Sequence, residues 1–174
     1  LIKKTKNNLA VLISGEIQTQ NAVAAQTSVS YVGSGPGATT VNTNNITLAV
    51  PSGVLAGDLL LAFIYNDDHS DGPMNPPSGQ GWNILDNDIS PSGSYADSRG
   101  AIFWKIAGAS EPLSYIFTLN YSTEQKAGHI RAYRGIDPIN PFDGALQKDQ
   151  SSRGDILRPA PSHTVSLDNS ILVC

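Results

Sequence analysis

The densest run of chemistry-bearing side chains is Asn66-Asp67-Asp68-His69-Ser70-Asp71-Gly72. Asp67, His69, Asp71 and Gly72 stand at positions 1, 3, 5 and 6 of a calcium-loop spacing, where hard carboxylate oxygens suit a divalent cation. Position 12 falls on Ser78, where a helix–loop–helix calcium loop requires a bidentate Glu, so that motif fails. A calcium site of another kind, built from Asp67, His69 and Asp71, stands against the simpler reading of a solvated turn. Asp86-Asn87-Asp88 is a second acidic patch and reads most simply as a turn.

Other chemistry is thinner. No Gly-x-Ser-x-Gly precedes a helix pattern, so no nucleophile elbow is expected. Glu occurs only at 16, 111 and 124, and Asp is too abundant to single out a partner for a glycosidase pair. Gly33-Ser-Gly-Pro-Gly37 is a linker turn, because its proline and missing helix spoil a phosphate cradle. His129, Arg131 and Tyr133 alternate, which places them on one face of a strand, either a polar binding face or an ordinary solvent face. Tyr65, Tyr95 and Tyr121 are candidates to stack on sugar rings. Arg153-Gly154-Asp155 spells an adhesion tripeptide in a loop-like stretch. Asn45-Ile46-Thr47 and Asn120-Tyr121-Ser122 match the glycosylation sequon, which has meaning only in a secretory eukaryotic context.

The elements that must carry these residues follow from composition. The chain has 174 residues, with 12 Asp, 3 Glu and 6 Lys against 19 Ser, 10 Thr, 13 Asn, 16 Gly and 11 Pro. Helix formers are scarce and turn formers abundant, which points to an all-β protein with many turns. A formal net charge of -4 argues against non-specific binding to nucleic acid or anionic membranes. A single cysteine, Cys174, excludes an intrachain disulfide and a cysteine-based zinc cluster. No apolar run approaches the ~20 residues of a membrane span.

Strands are expected almost throughout. Thr27 to Val32 and Ile46 to Val50 alternate with period two. Asp58 to Tyr65 (DLLLAFIY) is continuously apolar, as befits a strand covered on both faces. Trp82 to Leu85, Ala101 to Ala107, Ser114 to Leu119 and Ala127 to Arg134 follow, with Asp86 to Gly100 expected as a loop. Asp137 is expected to cap a turn or to pair with Arg134. About eight short strands without helical periods suggest an antiparallel β-sandwich, jelly-roll or immunoglobulin-like. Residues 1–26 read as an N-terminal arm, in which Lys3, Lys4 and Lys6 could dock on an acidic neighbour. Leu9, Val11 and Ile13 could there add a strand or bury an apolar face. Residues 27–174 read as the sandwich. Ser170 to Cys174 reads as the opening of a buried strand, so the sandwich is expected to be incomplete at its C-terminus.

Five phrases occur in a distinctive order: ITLAVPSGVLAGDLLLAF (46–63), NPPSGQGWNIL (75–85), AIFWKIAGASEPLSYIFT (101–118), AGHIRAYRGIDPINPFD (127–143) and HTVSLDNSILVC (163–174). Together they resemble a β-sandwich module of phage tail and virion proteins and of secreted bacterial surface proteins. The resemblance covers roughly Ser28 to Cys174. This chain departs from that pattern by extra residues between Pro77 and Trp82, and by stopping before a further hairpin and closing strands. The module is a scaffold, so the resemblance implies fold rather than one activity. It implies a non-catalytic, extracellular structural role in a virion or tail appendage. The alternative is a secreted adhesin, filament subunit or carbohydrate-binding module. The partners implied are copies of the chain, other virion or filament subunits, or surface glycans. No cofactor is expected, calcium aside.

Overall fold

A computed structural model describes residues 28–67, 74–88, 99–119, 124–144, 170, 171 and 173, together with the backbone of residues 3–5, 8–13 and 16–20. Among the described residues there are only strands and turns, and every strand pairing is antiparallel. The all-β expectation holds.

Three strands near the start, β1 (Lys3–Thr5), β2 (Asn8–Ile13) and β3 (Glu16–Gln20), form a sheet of their own in the order β1-β2-β3. Lys3 and Lys4 lie in β1, opposite Ala10 and Leu9. Leu9, Val11 and Ile13 lie in β2, opposite Gln20, Gln18 and Glu16. Lys6 falls outside the described residues.

A six-stranded sheet forms the body. Its strands are β4 (Ser30–Ser34), β5 (Ala38–Thr40), β7 (Leu59–Asn66), β8 (Asn83–Asp88), β9 (Arg99–Ile106) and β11 (Lys126–Arg134). The order is β4-β11-β7-β9-β8, with β5 beside β4 on the same edge of β11. A two-stranded sheet, β6 (Asn45–Ala49) and β10 (Ser114–Thr118), lies over one face of it. Both of its strands alternate exposed and buried residues, the mark of a sheet wet on one side. Their inward residues Ile46, Leu48, Tyr115 and Phe117 join Leu60, Ala62, Ile64, Phe103 and Ile130 in the main core.

The central strand β7 differs. Leu60, Ala62 and Ile64 point into the main core, while Leu59 and Leu61 belong to a second cluster on the opposite face. The uninterrupted apolar run is thus explained by burial on both faces. Ile136, Phe142 and Val173 supply the cover on that second face, and Phe142 meets Trp104 edge-on at 5.4 Å.

Three expectations need correction, and of the two roles expected for Asp137 the cap is the one seen. Asp86-Asn87-Asp88 is strand rather than turn, because a bulge between Ile84 and Asp86 resets the register and lets β8 continue along β9. Ser170, Ile171 and Val173 are not in a strand, and Val173 instead packs on the second cluster. The first strand of the body begins at Ser30, and Gly35 makes a close approach to the Ala49 backbone before β5 resumes the edge. Arg134 pairs not with Asp137 but with Asp58, and the Asp137 carboxylate accepts the Ile139 N–H at 2.9 Å, capping the turn.

Candidate functional site

The second face of the large sheet is covered at one end and open at the other. Cross-strand register sets what the open end presents. Asp86, Ile102, Phe63 and His129 form one row across β8, β9, β7 and β11. Tyr65 stands in the next row between Gly100 and Ala127. Two small neighbours leave the Tyr65 ring upright and 48% exposed. The result is a shallow trough of about 360 Å³ along Phe63, Tyr65, Ile102 and His129, with Asp86 at its rim.

His129 stacks on Phe63 with ring centroids 5.4 Å apart. The Arg131 guanidinium lies 5.5 Å from the same ring. Burial and then the Arg131 charge push the His129 imidazole below its usual value, so it is neutral at neutral pH. The expected alternation of His129, Arg131 and Tyr133 on one face is therefore seen, but not as a solvent face. Tyr133 is buried in the second cluster and tilts against Tyr31 at 5.6 Å. Chemically, the trough offers flat apolar rings, a neutral imidazole and a carboxylate, which suits a small amphipathic ligand better than bond cleavage.

Two buried polar clusters account for other residues of the sequence phrases. In one, Asp58 accepts Nε and Nη2 of Arg134 at 2.9 and 2.8 Å and the Leu55 N–H at 2.8 Å. Burial opposes the charge on Asp58, but the Arg134 and Leu55 bonds outweigh it and hold the carboxyl below its ordinary range. Arg134 Nη2 also donates to the Gly53 carbonyl, tying the 50–58 turn to the end of β11. Gly53 itself holds a positive φ of 81° in that turn, which glycine adopts without a steric penalty. In the other, Lys105 Nζ donates to Tyr115 Oη at 2.7 Å and Glu111 Oε2 at 3.0 Å. Tyr115 Oη in turn donates to Glu111, and Glu111 Oε1 accepts the Gly108 N–H at 2.6 Å. The phrase KIAGASEPLSY thus folds into one network. Sequence reasoning singled out Glu111 only as one of three glutamates; the Lys-x₅-Glu-x₃-Tyr spacing across the connection from β9 to β10 was the available signal.

Of the expected calcium set, Asp67 alone lies among the described residues. Asp67 is exposed, with its N–H donating to the Gln125 carbonyl at 2.9 Å, while His69 and Asp71 fall outside the described residues. Tyr95, Tyr121 and the 153–155 tripeptide also fall outside them. Among the described residues no group of three His, Cys, Asp or Glu could hold a metal ion, and no helix is long and apolar enough to cross a membrane.

No family model, curated protein or solved structure matches the chain.

Proposed function

We propose that the chain is a non-catalytic β-sandwich module that works by assembling with copies of itself or with neighbouring subunits. The setting is a virion or tail appendage outside the cell, of the kind its sequence phrases resemble. One observation carries this reading: the two layers are unequal. β6 lies over β5 and β11, and β10 lies over β9 through Phe103–Phe117 and Lys105–Tyr115 contacts. Beyond the short Met74–Asn75 segment, which bridges Thr118 of β10 and bonds to the Asn87 side chain of β8, nothing among the described residues continues the small layer over β8. Ile84 pairs with Phe103, on the core side of the sheet, yet it is 54% exposed while Phe103 is fully buried. Along Ser114 to Phe117, β10 has no other backbone strand partner than β6 among the described residues. A strand added at that edge would cover Ile84 and complete the layer. The three-stranded sheet of the arm offers strands of that kind.

The expected result is a concentration-dependent oligomer in light scattering. Ile84→Glu should weaken self-association by about tenfold or more while leaving the circular dichroism unchanged. A stable monomer at assembly concentrations would count decisively against the reading.

The trough favours a second reading, a glycan-binding module of a secreted adhesin or filament. A tyrosine ring standing clear between Gly100 and Ala127 is a stacking platform for a sugar ring. Tyr65→Ala is expected to weaken glycan binding about tenfold without loss of fold, and silence of the unaltered protein across a broad glycan array would dismiss this reading.

A further inference from the structure

Building on the glycan-binding reading of the trough, we propose that its occupant is an acidic sugar, a uronate unit whose carboxylate is held by Arg131. The trough is charged unequally. Its central row crosses four strands, from Asp86 on β8 through Ile102 and Phe63 to His129 on β11. Neighbouring strands lie about 4.8 Å apart, so the two polar ends of the row are about 14 Å apart. One end carries a carboxylate. The other carries the His129 imidazole and, two residues further along the same strand, Arg131.

Lys105 pairs with Glu111 and Arg134 pairs with Asp58, but Arg131 pairs with no carboxylate among the described residues. Its own row holds Leu61, Trp104 and Asn83 on one side and Ser34 on the other, none of them charged. The half-buried guanidinium lies instead 5.5 Å from the Phe63 ring, at the edge of the trough. Partial burial strips water from a charge, and an incoming carboxylate restores the lost hydrogen bonds. A guanidinium presents five N–H donors in a planar fork that matches a carboxylate two bonds at a time. His129, neutral beside it, brings one further N–H donor and no second charge.

Between the two ends a ligand meets rings. Tyr65 stands two residues along β7 from Phe63, about 6.8 Å away, and offers a half-exposed face to the C–H side of a sugar ring. A carboxylate has about four acceptor positions, so the interaction Asp86 already makes within the chain leaves room for sugar hydroxyls. The charges then set the direction of the ligand. An anionic group is repelled by Asp86 and drawn to Arg131, while hydroxyls are accepted at the Asp86 end.

Isothermal titration of the full chain with oligogalacturonate, oligoglucuronate and oligomannuronate, each set against its methyl ester, tests this. A broad array of neutral glycans is read in parallel. The ester keeps the ring and its hydroxyls and removes the charge. At least one acid should bind about tenfold or more tightly than its ester, and that advantage should shrink at high salt. Arg131→Gln should abolish the preference and leave binding of the ester unchanged. Arg131→Lys, which keeps the charge but not the fork, should retain only part of it. Tyr65→Ala should weaken acid and ester alike, with circular dichroism showing that each variant is folded. Equal binding of acid and ester, or binding of neutral sugars alone, would overturn the uronate assignment and leave the glycan reading standing. An acid preference undiminished in Arg131→Gln would overturn the role of Arg131. Binding of no sugar, acidic or neutral, would overturn both readings together.

Discussion

Truncating Phe117 to alanine is expected to destabilise the chain by about 3–5 kcal/mol. Phe117 is fully buried on β10, where it touches both layers. Its ring meets Phe103 of the large sheet at 5.4 Å and the edge of Trp82 at 5.2 Å. Interiors are packed as densely as organic crystals, so the surrounding groups cannot close the hole, and the loss includes a cavity contribution beyond lost transfer energy. Urea denaturation followed by Trp fluorescence measures it. The neighbouring Ile116→Ala is the control, because Ile116 is 54% exposed on the wet side of the same strand. It should change stability by only about 0.5 kcal/mol. Equal effects from the two substitutions would mean that β10 is not the lid of the core.

Glu111→Ala is expected to cost a similar amount, about 3–5 kcal/mol, for an electrostatic reason. It leaves the Lys105 ammonium buried without its anion and removes the acceptor of the Tyr115 hydroxyl. Replacing Lys105 by Met in the same chain should recover much of the loss, since it removes the stranded charge. The network also fixes a pH response. Burial works against the charge on Glu111, but the bonds from Tyr115, Gly108 and Lys105 prevail, and its folded carboxyl titrates below the ordinary value of 4.5. A depressed folded value means that the unfolded chain binds the proton more tightly. The stabilisation is present above the unfolded carboxylate range and fades as pH falls through the folded value. Asp58, also depressed, adds to the loss in the same direction. Burial and then the Glu111 bond raise the Tyr115 hydroxyl well above its ordinary 10.0. Its contribution is complete below pH 10 and declines at higher pH, so the two flanks of the stability profile report on one cluster. Glu111→Gln should blunt the acid flank, and an unchanged acid flank would contradict the assignment.

Much of this architecture was readable from residue order, because burial leaves a period in the sequence. The alternation in β6 and β10 and the solid run in β7 each reported how many faces were covered. What lay hidden were pairings between distant residues. Asp58 and Arg134 stand 76 residues apart in the sequence, and only the β7–β11 register brings them together. Asp137 was the nearer partner on paper, but its carboxylate is used by its own turn. The β8 bulge was equally invisible, since one extra residue changes no local propensity. The trough was half legible: the exposed Tyr65 was a candidate from the start, while Gly100 and Ala127 acquire meaning only as its neighbours across the sheet.

The position of β11 has a consequence for how the molecule comes into being. Among the described residues, β4 and β5 pair with no strand other than β11, and β7 has β11 on one side. The shared partner is therefore translated last among the strands of this sheet. At about 5–20 residues per second, the ribosome leaves β4 and β5 waiting on the order of several seconds for residues 126–134 to emerge. Throughout that interval the nascent chain presents unpaired strand edges, and neighbouring nascent chains can compete for them. Yield should therefore depend on the speed of elongation between β5 and β11, and a slow stretch of codons there should favour intertwined copies over separately closed ones.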